Sequence, residues 1–103
     1  MRAALLALAL CGCATIGHVK VDGWPELKVI EHHVRHVDMV DRCASYAGTE
    51  GCALFYLSRG ECHIYVSAEF PSARVLEHER LHCAGYDHMG SGNMRRMLKR
   101  WEK

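Results

Sequence analysis

The sequence predicts a small α+β domain with a short β-sheet, a central helix and a C-terminal helix. Residues 61–67 are rich in β-branched and aromatic side chains, which is typical of a β-strand. The segment after Pro71 has the apolar spacing of a helix, with Ser72 as the expected N-cap and Gly85 as the expected left-handed end. Residues 94–101 carry apolar side chains at i, i+3, i+4 and i+7, as a second helix does. A chain of 103 residues has room for one such domain.

The other predicted elements lie between the N-terminus and the central helix. Residues 28–34 alternate loosely between apolar and polar, and the apolar segment 52–57 is predicted to be another strand. Between these strands, residues 38–46 have the three-to-four spacing of a short helix. Gly48 and Gly51 are expected to interrupt the chain after that helix.

The first residues are predicted to be an export signal and not part of the fold. A positively charged start precedes the apolar run 3–10, which is too short to span a bilayer and is typical of a signal peptide. Residues 10–13, with the sequence Leu-Cys-Gly-Cys, resemble a bacterial lipobox. This resemblance implies a lipoprotein signal peptide at 1–12 and lipidation of Cys13. The alternative is an ordinary signal peptide that is cut close to the same position.

The predicted organisation after cleavage is a tether followed by one domain. Residues 13–23 are expected to form the N-terminal tether, and residues 24–103 a zinc-binding, metallopeptidase-like domain. The residue after Cys13 is Ala14 and not Asp, which by resemblance to sorted Gram-negative lipoproteins implies the outer membrane, facing the periplasm. A formal net charge of +1 does not favour nucleic acid as a partner.

The cysteines indicate two disulfide bonds in an exported chain. Two of the six cysteines lie in or directly after the predicted signal peptide. An even number remains for an oxidising compartment, and these are Cys43, Cys52, Cys62 and Cys83. Three pairings are possible, and we favour Cys43–Cys52 with Cys62–Cys83 because the first pair closes a short loop. A cysteine-based zinc site is the alternative, although no CxxC pair is present.

The motif that carries chemistry is His78-Glu79-x-x-His82-x-x-Gly85-x-x-His88. Side chains four residues apart share one face of a helix, so His78 and His82 can place two imidazole nitrogens on one Zn²⁺ ion. Gly85 permits a sharp turn that returns His88 to the metal as a third ligand. Glu79 flanks this face without being a ligand, which places it to act as a general base. Three protein ligands leave a fourth position for water, as catalytic zinc sites do.

This motif resembles the extended zinc signature of the metzincin clan, and its Asp87-His88 ending is most similar to the matrixin branch. The resemblance implies that the three motif histidines ligate zinc and that Glu79 is the catalytic base. It also implies that the strand at 62–67 is an edge strand along which a peptide substrate aligns. The chain departs from the clan because few residues follow the motif and no clear Met-turn is present. Met94 is the best candidate for a Met-turn, but its helical spacing favours a place in the core.

The sequence therefore favours a zinc-dependent hydrolase, specifically a peptidase, that is lipid-anchored in the bacterial cell envelope. Its expected substrate is a peptide or protein that reaches the periplasm. The alternative is a non-catalytic zinc-binding lipoprotein that acts in envelope or secretion-system assembly. In that alternative the metal holds a small fold together, and His63 or Asp87 would close the site.

The remaining histidines and charges have simpler interpretations. His32, His33 and His36 are expected to be surface residues, with a second metal site as the alternative. His63 is expected at the edge of the core and not in the cleft. Asp87 either orients a ligand imidazole or caps the turn. The basic run on the last helix is expected to be a solvated face, with contact to anionic lipid headgroups as the alternative.

Overall fold

The structure is a computed structural model that describes residues 17–43 and 50–103. The predicted signal peptide and the predicted lipidation site at Cys13 lie outside the described residues. The predicted α+β class is confirmed for the described part of the chain. Within the same residues, none of the helices has the length and apolar character that crossing a membrane requires.

The described chain contains five strands and three α-helices, in the order β1 (His18–Lys20), β2 (Lys28–Val34), α1 (Met39–Arg42), β3 (Gly51–Tyr56), β4 (Glu61–Ser67), α2 (Ala73–Cys83), β5 (Tyr86–His88) and α3 (Asn93–Glu102). One short 3₁₀ helix, His36–Asp38, precedes α1, and another, Leu57–Arg59, follows β3. The predicted strands at 28–34 and 61–67 and both long helices are confirmed. Of the helix predicted at 38–46, the described residues form only the short helix Met39–Arg42. Residues 44–46 of the prediction lie outside the described part.

Within the described residues, the main sheet has three strands in the order β2-β4-β3. β4 pairs in parallel with β2 and antiparallel with β3, so it is the central strand. The prediction that residues 62–67 form an edge strand is therefore wrong. The inward side chains of this strand, Cys62, Ile64 and Val66, are at most 5% exposed, and the centre of a sheet is where such a strand buries most apolar surface. β3 and β2 form the two edges.

Two disulfides fasten the helices to this sheet. Cys62–Cys83 joins β4 to the end of α2, and Cys43–Cys52 joins the end of α1 to β3. Both predicted pairings are confirmed. Because each bond restricts the unfolded chain, each is expected to stabilise the fold by roughly 2–4 kcal/mol.

The buried side chains of β4 form one hydrophobic core cluster with Cys83. A second core cluster fixes α3 against the N-terminal part of the described chain, and its residues are Val21, Trp24, Leu57, Met94 and Leu98. Met94 is 4% exposed, so its predicted place in the core is confirmed. Val21 is buried and β1 pairs antiparallel with β5, in the register His18↔His88. The prediction that the tether extends to residue 23 is therefore wrong, since the chain is already part of the fold at His18. A strand of three residues is too short to give a periodic signal in the sequence.

Candidate metal centre

Helix α2 carries the central part of the motif and begins as the sequence predicts. The Ser72 side chain accepts a hydrogen bond from the backbone N–H of Val75 at 3.2 Å, which satisfies one donor of the first turn. Val75 and Cys83 face the sheet, where they pack against the buried side of β4. His78 and His82 lie one turn apart beside this packed face.

The turn after α2 depends on Gly85. Its φ of 102° lies in the left-handed region that residues with a side chain rarely adopt. A Cβ at this position would also approach Trp24 Cβ to 2.8 Å. Trp24 holds the same turn from the other side, because its indole N–H donates to the Cys83 carbonyl at 3.1 Å. The close turn directs the chain into β5, which ends at His88.

Four histidines meet at this place, and they are His18, His78, His82 and His88. One ring nitrogen from each lies within 4.8 Å of those of the other three, so the group can hold a metal ion. The structure thus brings together the three histidines that the motif predicts. It adds His18, which arrives from β1 because that strand is paired with β5.

The arrangement of the four rings fits a tetrahedral ion. All six pairs of ring centroids are 4.7 to 5.7 Å apart. Four imidazoles around zinc, each with a metal–nitrogen distance of about 2.0–2.1 Å, would have centroids about 5 Å apart. The Nε2 atoms of His78 and His82 are 3.1 Å apart, close to the separation of about 3.3 Å for two nitrogen ligands of one tetrahedral ion.

A hydrogen bond on the second ring nitrogen fixes the orientation of His82. Its Nδ1–H donates to the backbone carbonyl of Tyr86 at 2.8 Å. A carbonyl can only accept, so the proton lies on Nδ1 and the lone pair of Nε2 faces the other histidines. Metal-binding histidines commonly have such a partner on the second nitrogen, since it selects the tautomer and orients the ring.

Burial keeps two of the rings in the neutral form that binds metal. Desolvation lowers the pKa of His82 to about 4, although the hydrogen bond to Tyr86 acts in the opposite direction. Desolvation also lowers the pKa of His78, with further contributions from the charges of His88 and His18. These two imidazoles are therefore unprotonated at neutral pH, and a metal ion does not have to displace a proton from them.

Glu79 is buried on the neighbouring face of α2, with 6% of its surface exposed. Desolvation raises the pKa of this carboxyl to about 7. Its side chain lies against the start of β3, where a Cβ on Gly51 would be 3.5 Å from Glu79 Cγ. A buried carboxyl with a strongly raised pKa, one residue after a candidate metal ligand, is a feature of functional sites.

Several other predicted candidates lie outside the cluster. His63 projects from the face of β4 opposite the buried side chains and hydrogen-bonds His32 at 2.8 Å and Glu61 at 3.0 Å. It therefore does not close the metal site. Asp87 accepts hydrogen bonds from the backbone N–H groups of His88 at 2.8 Å and Met94 at 3.1 Å, so it caps the turn into α3.

The fourth histidine was missed because nothing in the local sequence marks it. His18 lies 60 positions before His78, in a segment without apolar periodicity. Only the pairing of β1 with β5 brings it to the motif. The expectation that the fourth position is open therefore differs from the structure, where His18 lies at that side of the cluster.

Comparisons of the chain with protein-family models, with curated proteins and with solved structures find no match.

Proposed function

We propose that this chain is a zinc-dependent hydrolase that cleaves peptides, with His78, His82 and His88 as zinc ligands and Glu79 as the catalytic base. The observation that carries the proposal is the burial of the Glu79 carboxyl, which raises its pKa. Glu79 directly follows the proposed ligand His78 and is buried, and a metal that only stabilised the fold would need no buried carboxyl at that position, where burial costs free energy. The resemblance of the motif to the metzincin signature supports the same assignment.

The four imidazole donors favour zinc among the common divalent ions, because neutral nitrogen ligands in a tetrahedral set suit it. A zinc ion held there would supply Lewis acidity, which polarises a substrate carbonyl and acidifies a nearby water. Glu79, with its pKa near 7, would accept the proton of the attacking water and later donate it to the leaving amine. The Tyr86 carbonyl would keep His82 oriented throughout.

An extended peptide is the proposed form of the substrate. β3 is an edge of the main sheet and, among the described residues, pairs only with β4. Its first residue, Gly51, lies against the side chain of Glu79. A peptide added to this edge as a further strand would pass close to the proposed base. This role moves from β4, where the sequence placed it, to β3.

The proposed location is the bacterial cell envelope, with a lipid anchor at Cys13 in the outer membrane and the domain in the periplasm. The lipobox-like sequence at 10–13 supports the anchor. Two disulfide bonds agree with an oxidising compartment such as the periplasm.

The test compares Glu79→Gln with the control Glu77→Gln, because Glu77 is an exposed glutamate on the same helix. Zinc content and cleavage of an internally quenched peptide library are measured for both variants. Each variant is also made in a His18→Ala background, because His18 lies where substrate would bind. We expect Glu79→Gln to keep zinc and lose cleavage by at least about a hundredfold, as expected for loss of a general base, and Glu77→Gln to lose neither. Zinc-loaded protein that cleaves no peptide in either background would reject the proposal.

The second candidate is a non-catalytic zinc-binding lipoprotein in envelope or secretion-system assembly. The observation that favours it is His18, because four protein ligands are typical of structural zinc sites. On this account Glu79→Gln would leave every phenotype of a deletion strain complemented. Removal of zinc would unfold the domain, and the protein would have no hydrolytic activity with or without zinc.

A further inference from the structure

We propose that His18 is an exchangeable fourth ligand that closes the metal site, so that the chain is latent until β1 moves away. The latency of the chain rests on the proposed hydrolase function. The coordination itself can be tested without a substrate.

The His18 ring lies close to all three motif histidines. Its centroid lies 5.0 Å from that of His78, 5.7 Å from that of His82 and 4.8 Å from that of His88. The ring therefore contacts all three motif histidines and does not simply cover one of them. A ligand at this corner of the tetrahedron takes the position that water or a substrate carbonyl needs in a catalytic site.

His18 is held less firmly than His78 and His82. His78 and His82 belong to an 11-residue helix that the Cys62–Cys83 disulfide fastens to the central strand. β1 has three residues, and the side chains of Val19 and Lys20 are exposed. Local opening costs least where few apolar side chains are buried, so His18 is expected to leave the metal more readily than His78 or His82.

β1 can separate without unfolding the domain. The chain directly after the strand is anchored by Val21, which is 5% exposed and whose N–H donates to the Gly85 carbonyl at 2.8 Å. On the other side, the Met89 N–H donates to the Gly17 carbonyl at 2.9 Å. Movement of β1 would break this outer contact, the strand pairing and the hydrogen bond that the Lys20 ammonium donates to the Ala84 carbonyl, while Val21 stays in the core.

The expected behaviour of the variants follows from these differences. His18→Ala leaves two ligands on α2 and one on β5, so it should keep the metal with reduced affinity and an open position. His82→Ala removes a ligand from the rigid part and should lose the metal. His33→Ala is the matched control, because His33 lies on β2 with 55% of its side chain exposed.

The experiment uses Co²⁺ in place of zinc, because its visible absorption reports coordination, and acetohydroxamate as an external ligand. The protein carries its native N-terminus. We expect His18→Ala to bind acetohydroxamate at least about tenfold more tightly than the wild type, since His18 competes for the same position in the wild type. The His33→Ala protein should bind the hydroxamate as the wild type does. The cobalt spectrum of His18→Ala should change before any hydroxamate is added.

Two results would overturn the inference. Equal hydroxamate affinity in wild type and His18→Ala would mean that His18 is not a ligand. Loss of cobalt from His18→Ala as complete as from His82→Ala would mean that His18 is a permanent structural ligand. Peptide cleavage by the same zinc-loaded proteins separates this inference from the proposed function. An opened cobalt site without cleavage would reject the hydrolase and leave the exchangeable ligand established.

Discussion

Glu79 has surroundings unlike those of an ordinary helical glutamate. It is buried, and desolvation raises the pKa of its carboxyl from 4.5 to about 7. Between these two values the folded protein binds more protons at this residue than the unfolded chain does. The stability that Glu79 contributes therefore falls as the pH rises through this window. His78 and His82 act in the opposite direction, because their pKa values are lowered on folding.

The first prediction isolates Glu79 by comparing Glu79→Gln with the wild type in the absence of metal. Glutamine keeps the shape of the side chain and does not ionise. The free energy of unfolding of the variant should therefore rise relative to that of the wild type from pH 5 to pH 8, by up to roughly 3 kcal/mol. Urea unfolding in the presence of a chelator measures the difference. A difference that stays constant across this range would contradict the assigned burial of the carboxylate.

Asp87 illustrates a structural role that the sequence left open. It is 7% exposed, and its two carboxylate oxygens accept the N–H groups of His88 and Met94. The second bond is important because Gly92 at the N-cap of α3 has no side chain to accept from the first turn.

The second prediction is that Asp87→Ala lowers the free energy of unfolding by roughly 1–3 kcal/mol, because two donors lose their acceptor. Asp22→Ala, at an exposed position, serves as the control and should change little. Denaturant unfolding of the metal-free proteins provides the measurement. If both variants were equally stable, Asp87 would not be the cap of α3.

At the scale of elements, the motif and the disulfides were readable from the sequence, and the non-local pairings were not. The spacing of His78 and His82 and the cap at Ser72 are local properties of one helix, and helical periodicity reveals them. The central position of β4 and the pairing of β1 with β5 depend on contacts far apart in the chain. No local pattern records such contacts, so the edge strand was misplaced and His18 was missed.

Gly85 allows a prediction at this scale, because it connects the helix that carries two histidines to the strand that carries the third. Gly85→Ala should destabilise the fold by roughly 1–3 kcal/mol through backbone strain, with a further cost from the contact with Trp24. It should also weaken zinc binding, since His88 would be displaced. Gly60→Ala is the matched control, because Gly60 has a φ of 68° and no atom within 4 Å of a built Cβ. Equal zinc affinity in the two variants would show that the turn does not position His88.

At the scale of the whole molecule, two disulfides and two core clusters stabilise the described part of this small domain, and a metal bound at the four histidines would add to them. A metal that binds only the folded state stabilises it by an amount that grows with free metal concentration. At a concentration one hundred times the Kd this amounts to about 2.7 kcal/mol.

The corresponding prediction is that zinc raises the Tm of the metal-free protein by roughly 10 °C or more at such a concentration, given the usual entropy of unfolding for this chain length. A chelator should reverse the increase, and His82→Ala should remove it. Calorimetry with the disulfides intact provides the measurement. An unchanged Tm over a wide range of zinc concentrations would show that the folded state does not bind the metal preferentially.

The most direct test of the whole account is the zinc content of the purified protein, measured by elemental analysis beside His82→Ala and His33→Ala. The account predicts one zinc per chain in the wild type and in His33→Ala, and its loss from His82→Ala. No zinc in the wild type, or zinc that remains in full after His82→Ala, would contradict it.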